Sequence, residues 1–197
     1  MLMLVAGLVL FLGIHSLSIV SPSARERLIA ISCPTKFRLF YSGVSIVGLV
    51  LIWIGYAEAR MDLVQLYTPP KGMTHAALLL MLPAFPMLIA TYVPTHIRAK
   101  LKHPMLTAVK TWALAHLLAN GDLASVVLFG SFLAWAVIDR ISLKRRNIKL
   151  PTSGPWRNDI IVVVLGVTLY VGMIMWLHRA LIGVAPIASM GYRLLLA

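Results

Sequence analysis

The stretch KHPMLTAVKTWALAHLLANGD, from Lys102 to Asp122, decides how the whole chain is read. It is apolar enough for a membrane helix, yet it carries His103, Lys110 and His116. It also ends in a turn signal. Asn120-Gly121 is suited to end one helix and Asp122 to cap the next, so the apolar run Leu123–Ile138 should fold back as an antiparallel partner. Ionisable side chains inside a membrane helix are costly and usually face the bundle interior, where they mark a pathway, a cofactor or a site.

The rest of the chain agrees with a membrane setting. Of its 197 residues, 60% are hydrophobic, and the mean hydropathy is +0.89. A soluble domain of this length is usually about half apolar. Apolar runs near the twenty-residue span length occur at Met1–Val20, Phe37–Ala57, Met73–Val93, Pro104–Asn120, Leu123–Ile138 and Ile160–Leu181. The expected fold is therefore all-α, a polytopic transmembrane bundle of about six spans forming one domain over residues 1–197. The tail 182–197, broken by Pro186 and Gly191, is expected to lie at the interface.

A net charge of +12 suggests nucleic acid at first sight, but its distribution argues for topology. Thirteen Lys and Arg side chains fall in the loops that follow spans 1, 3 and 5, or in the residues beside them. The opposite side has only Arg60, Lys71, Arg179 and Arg193. Excess Lys and Arg in short loops marks the cytoplasmic side, so both termini are expected on the periplasmic side. The run LKRRNIK (Leu143–Lys149) is read the same way, next to the bilayer and with no nucleic-acid partner. The first apolar run has its basic residues after it, the charge order of a retained first helix rather than a cleaved signal. The single cysteine, Cys33, excludes an internal disulfide, and no C-x-x-C-H attaches a haem covalently.

Other local signals are structural. Pro83 and Pro86 each remove a helix hydrogen bond in span 3 and predict a packing kink. Gly48 and Gly55 share one face of span 2, as small residues at a helix contact do. Tyr67–Gly72, YTPPKG, reads as a turn.

Of the six histidines, His75, His96 and His178 sit near span ends, where solvation is cheap. His15 lies in the apolar GLVLFLGIHSLSI, with Leu4, Leu8, Phe11 and Ile19 on its face. His116 shares a face of span 4 with Met105, Val109, Trp112 and Asn120, flanked by Ala108, Ala115 and Ala119, which leave room for a flat ligand or another helix. Two neutral imidazoles from separate helices among apolar and aromatic side chains suit a b-type haem, whereas zinc would recruit more histidine, carboxylate or thiolate. His103 and Lys110 lie on another face of span 4; Lys110 either snorkels to the interface or pairs with an anion such as a haem propionate. From the span ends, His15 lies about 7 Å deep and His116 about 18 Å. Depth does not choose between His15 with His116 and His15 with His103.

The segments GLVLFLGIHSLSI, YSGVSIVGLVLIWIGYAEAR, LYTPP, KHPML and WALAHLLANGDLASVVLFG together resemble the NnrU family over most of Met1–Arg146. That resemblance implies a bacterial inner-membrane protein associated with nitrite and nitric oxide reduction, as an enzyme or as an accessory factor. The same pattern is similar, more thinly, to the plastid zeta-carotene isomerase family. It implies haem b, axial ligands at His15 and His116, and redox-gated cis-trans isomerisation of a hydrophobic polyene. KHPML is also similar to the RHP-x-Y motif of isoprenylcysteine-type membrane methyltransferases. Here Lys102 stands where that motif has arginine, and Asp139-Arg140 replaces its paired glutamates. The reading thus names the lipid bilayer as partner, and a polyene or nitric oxide as ligand, at a site of His15, His116, His103, Lys110 and Trp112.

Overall fold

A computed structural model describes residues 1–62, 64–146 and 150–187. Lys149, Arg193 and residues 188–197 of the expected interfacial tail lie outside the described residues. The described chain is helical, and its only bridge between extended residues is the antiparallel pair Gln65–Asp122. Among the described residues five helices are long and apolar enough to cross a membrane, as a multi-pass membrane protein requires: α1 (Leu2–Val20), α3 (Pro34–Ala59), α4 (Met73–Ala90), α7 (Leu123–Arg145) and α8 (Trp156–Ile182). The other expected span is α6 (Pro104–Ala119), whose 16 residues make a helix of about 24 Å against a hydrocarbon layer of about 30 Å.

Two further helices have no apolar signal and went unanticipated. Ser21 caps α2 (Pro22–Ser32) by accepting from the Ala24 amide at 3.2 Å, and Pro22 fits the first helical position. Thr95, fully buried, caps the six-residue α5 (His96–Leu101) by accepting from the Arg98 amide at 2.9 Å. Helices α3, α7 and α8 also begin or end several residues beyond their apolar runs, because polar residues at a membrane boundary continue a helix without cost.

The chain packs as two compact units, one of residues 1–70 with 116–149 and the other of 71–115 with 150–197. In the first, α1 lies against α3, with α2 and α7 beside them. Glycines set that closeness. A Cβ on Gly48 would stand 2.8 Å from the Phe11 amide nitrogen, and one on Gly7 would stand 2.6 Å from that of Ile52. Gly55 meets the backbone of Leu4, whose side chain is fully buried. Lipid offers no hydrophobic drive between helices, so van der Waals packing of this kind holds them. The Gly48–Gly55 face behaves as its spacing predicts.

The Asn-Gly-Asp turn also forms as expected. Asp122 caps α7, its carboxylate accepting from the Ser125 amide at 2.9 Å and the Ser125 hydroxyl at 2.6 Å. The segment after α3 closes over this turn: Leu66 N–H donates to the Gly121 carbonyl at 2.8 Å, and Tyr67 O–H donates to the carbonyls of Leu117 and Asn120. Burial and the nearby Asp122 charge hold the Tyr67 phenol above its ordinary pKa.

In the second unit α4 packs on α8. Helix α4 runs unbroken through Pro83 and Pro86, and Gly166 of α8 receives the Pro86 ring, which a Cβ there would strike. Tyr170 O–H donates to the Leu78 carbonyl at 2.8 Å. Helix α8 contains one π-helical turn, Met173–Leu177.

Candidate functional site

His15 sits four residues after Phe11 on α1, so the two share a face. Its Nδ1 lies 2.6 Å from the Phe11 carbonyl. A carbonyl only accepts, so Nδ1 carries the proton and, in the neutral ring, Nε2 keeps its lone pair. The imidazole stacks on the Phe11 ring at 4.3 Å, with Tyr41 of α3 at 5.2 Å and Trp135 of α7 edge-on at 6.1 Å. Three helices thus fix one imidazole in an aromatic cage. The buried Trp135 Nε1 has no hydrogen-bond partner among the described residues.

His15 lines a cavity of about 500 Å³, within the range of small-molecule and cofactor sites. Its apolar part includes Ile14, Leu17, Phe37 and Leu143, and its polar part Tyr41 and Ser42. Four charged side chains join them: Arg25 from α2, Arg38 from α3, and Asp139 and Arg146 from α7 and its end. Arg146 Nη2 stands 3.7 Å from Asp139 Oδ1, and Arg25 lies over the Phe37 ring at 5.7 Å.

His116 belongs to the same unit but is not on that cavity wall. Its ring stacks on Phe129 at 4.5 Å, and Tyr56 meets the Phe129 ring edge-on at 6.0 Å. Phe129, Phe132 and Trp135 make one row along α7, in which Phe132 faces Phe11 at 5.7 Å. Phe129, the neighbour of His116, and Trp135, the neighbour of His15, are six residues apart, about 9 Å along the helix. His103, Lys110 and Trp112 fall in the other unit. His103 directly precedes α6, and its carbonyl accepts from the Thr107 amide and hydroxyl, each at 3.2 Å. Lys110 and Trp112 are half-buried on α6.

The fit to a haem follows from the donor set. His15 fits an axial ligand: metal-bound histidine characteristically donates its other N–H to a carbonyl or carboxylate, which fixes the ring and raises its basicity. An aromatic and aliphatic wall fits a flat macrocycle. His116 offers a second imidazole from farther along the same aromatic row.

Two polar constellations gave no signal in the sequence. Tyr56 O–H lies 2.9 Å from Ser125 Oγ, and because the serine proton is given to Asp122, the tyrosine is the donor. Asp159, nearly buried, accepts from the amides of His96 at 3.2 Å and Ile97 at 3.0 Å and from His96 Nδ1 at 2.8 Å, while the His96 ring stacks on Trp156 at 4.3 Å. Their partners are 69 and 63 residues apart, beyond the reach of any local pattern.

Among curated proteins and solved structures, nothing matches this chain. A family model described as NnrU protein matches residues 3–186, nearly its whole length, and the chain belongs to the NnrU family.

Proposed function

We propose that this NnrU-family protein is a bacterial inner-membrane haem b protein, with its basic end cytoplasmic, both termini outside and His15 as the axial ligand on which the site depends. The observation that carries the reading is the His15 Nδ1–H donated to the Phe11 carbonyl within the aromatic cage, at the wall of a 500 Å³ cavity. The isomerase resemblance supplies His116 as the second ligand; because it stands off this cavity wall, sharing one iron with His15 would require the two rings to move together. Haem b, if held by these residues, would supply a one-electron redox centre and an iron site for a polyene double bond or nitric oxide.

The protein's own contribution is orientation and exclusion of water. Phe11, Tyr41 and Trp135 restrain the His15 ring, so that ligation costs little side-chain freedom.

An absorption spectrum of the purified protein, as isolated and after dithionite, tests this reading, with His15→Ala and His116→Ala alongside. The expected result is a six-coordinate b-haem spectrum lost in the first variant and converted to five-coordinate or lost in the second. A colourless wild type, even with haem supplied during expression, would sink the proposal.

A further inference from the structure

Resting on the haem reading, a second feature of the same cavity remains to be explained. Its wall carries three guanidinium groups and one carboxylate. Arginine beside these helix ends is expected from topology alone, since the sequence puts thirteen Lys and Arg in or beside the loops assigned to the cytoplasmic side. Topology requires only that they stand in loops. It does not require that three of them, from three separate elements, line one cavity with an apolar floor.

Nor does it require the state of Arg146. That side chain is 28% exposed, its ion-pair contact with Asp139 is long at 3.7 Å, and its buried Nε has no hydrogen-bond partner among the described residues. A guanidinium has five donors in a planar fork matched to carboxylate. Burying one of them unmade is costly, and a ligand carboxylate would satisfy it.

We infer that Arg25, Arg38 and Arg146 form an anion-recognition subsite that takes the two carboxylates of the porphyrin whose iron His15 binds. The lining carries two more positive than negative charges, which complements a dianion with an apolar body. Asp139 holds Arg146 near the mouth and competes with the ligand for it. Lys110, the cation first suggested for this role by the sequence, is not needed.

The test separates this subsite from iron ligation by removing the iron. Full-length protein in nanodiscs of neutral lipid is titrated with iron-free protoporphyrin IX and with its dimethyl ester, followed by porphyrin fluorescence. In Arg38→Gln/Arg146→Gln, affinity for the diacid falls roughly ten- to hundred-fold, as for loss of charge-assisted hydrogen bonds, while the diester is unaffected. On the unaltered chain, added salt weakens the diacid alone. His15→Ala leaves the diacid preference intact although it abolishes the haem spectrum. If diacid and diester fall together in the arginine variant, or neither falls, the subsite is wrong. Should His15→Ala keep its haem while the arginine variant loses the diacid, the His15 ligand assignment fails and the subsite stands.

Discussion

The His15 imidazole is bonded to the Phe11 carbonyl at 2.6 Å and stacked on the Phe11 ring at 4.3 Å, so one residue holds it twice. The two contacts separate by mutation. Phe11→Leu keeps the backbone acceptor and loses only the stack, and an aromatic pair is worth about 0.5–1.5 kcal/mol beyond its buried area. The variant should keep its fold and its haem, with thermal stability in detergent lowered by about that amount. Complete loss of haem would mean that the ring, not the hydrogen bond, sets the ligand.

The glycine contacts between α1 and α3 give a contrast within one helix. Gly48→Leu and Gly55→Leu drive side chains into the backbone of α1, whereas Gly43→Leu enters open space. Overpacking costs about 1–3 kcal/mol or more, and an unobstructed surface change about 0.5 kcal/mol or less. Unfolding in a denaturing-detergent titration should shift strongly for the first two and hardly for the third. Equal shifts would mean that α1 and α3 are not in backbone contact.

Much of this arrangement was legible in the sequence, for physical reasons. The long helices follow from hydropathy, the α6–α7 turn from Asn120-Gly121-Asp122, and a close-packed face on α3 from Gly48 and Gly55, whose partner α1 only the packing shows. The candidate ligand His15 stood out because an ionisable group in an apolar run needs a reason. The arginine-lined mouth did not stand out: Arg25, Arg38 and Arg146 read as topology signals and are 121 positions apart at the extremes. Only packing of α2 and the end of α7 around α1 shows that they meet at one cavity. The helix α2 itself was hidden because short polar helices owe their existence to caps and tertiary contacts more than to periodicity.

Lys102 joins α5 to α6 with φ +66° and ψ −47°, and His103 N–H donates to the Leu101 carbonyl at 2.7 Å. This is a γ-turn with positive φ at its centre, a rare conformation for a side-chain-bearing residue and one that costs about 1–3 kcal/mol. Glycine relieves that cost but adds about 0.5–1 kcal/mol of unfolded-chain entropy. Lys102→Gly should therefore stabilise by about 0–2.5 kcal/mol, and Lys102→Val should destabilise. A thermal melt that falls for glycine would show the turn to be unstrained.

Tyr67 predicts a pH dependence. Its phenol is held neutral by burial and by the Asp122 charge, so the folded pKa exceeds the unfolded value near 10. The unfolded chain then loses its proton first as pH rises, and stability declines above about pH 10. Tyr67→Phe cannot ionise and should flatten this alkaline decline while forfeiting the bonds to Leu117 and Asn120. Unfolding midpoints at neutral pH and above pH 10 check it; parallel curves would refute the assignment.

Asp159 holds the start of α5 through both of its oxygens. Oδ2 accepts from the His96 amide and ring, and Oδ1 from the Ile97 amide. The Thr95 hydroxyl and carbonyl add bonds from the Arg98 and Ala99 amides, but six residues are too few to sustain a helix alone. Asp159→Ala removes three acceptor contacts at once and leaves α8 its apolar packing on α4. Hydrogen exchange should accelerate at the amides of His96 and Ile97 and spread along α5, with α4 and α8 unchanged. Asp159→Asn, which retains one carbonyl acceptor, should lie between. Unaltered exchange in the alanine variant would show that α5 is held by something other than this carboxylate.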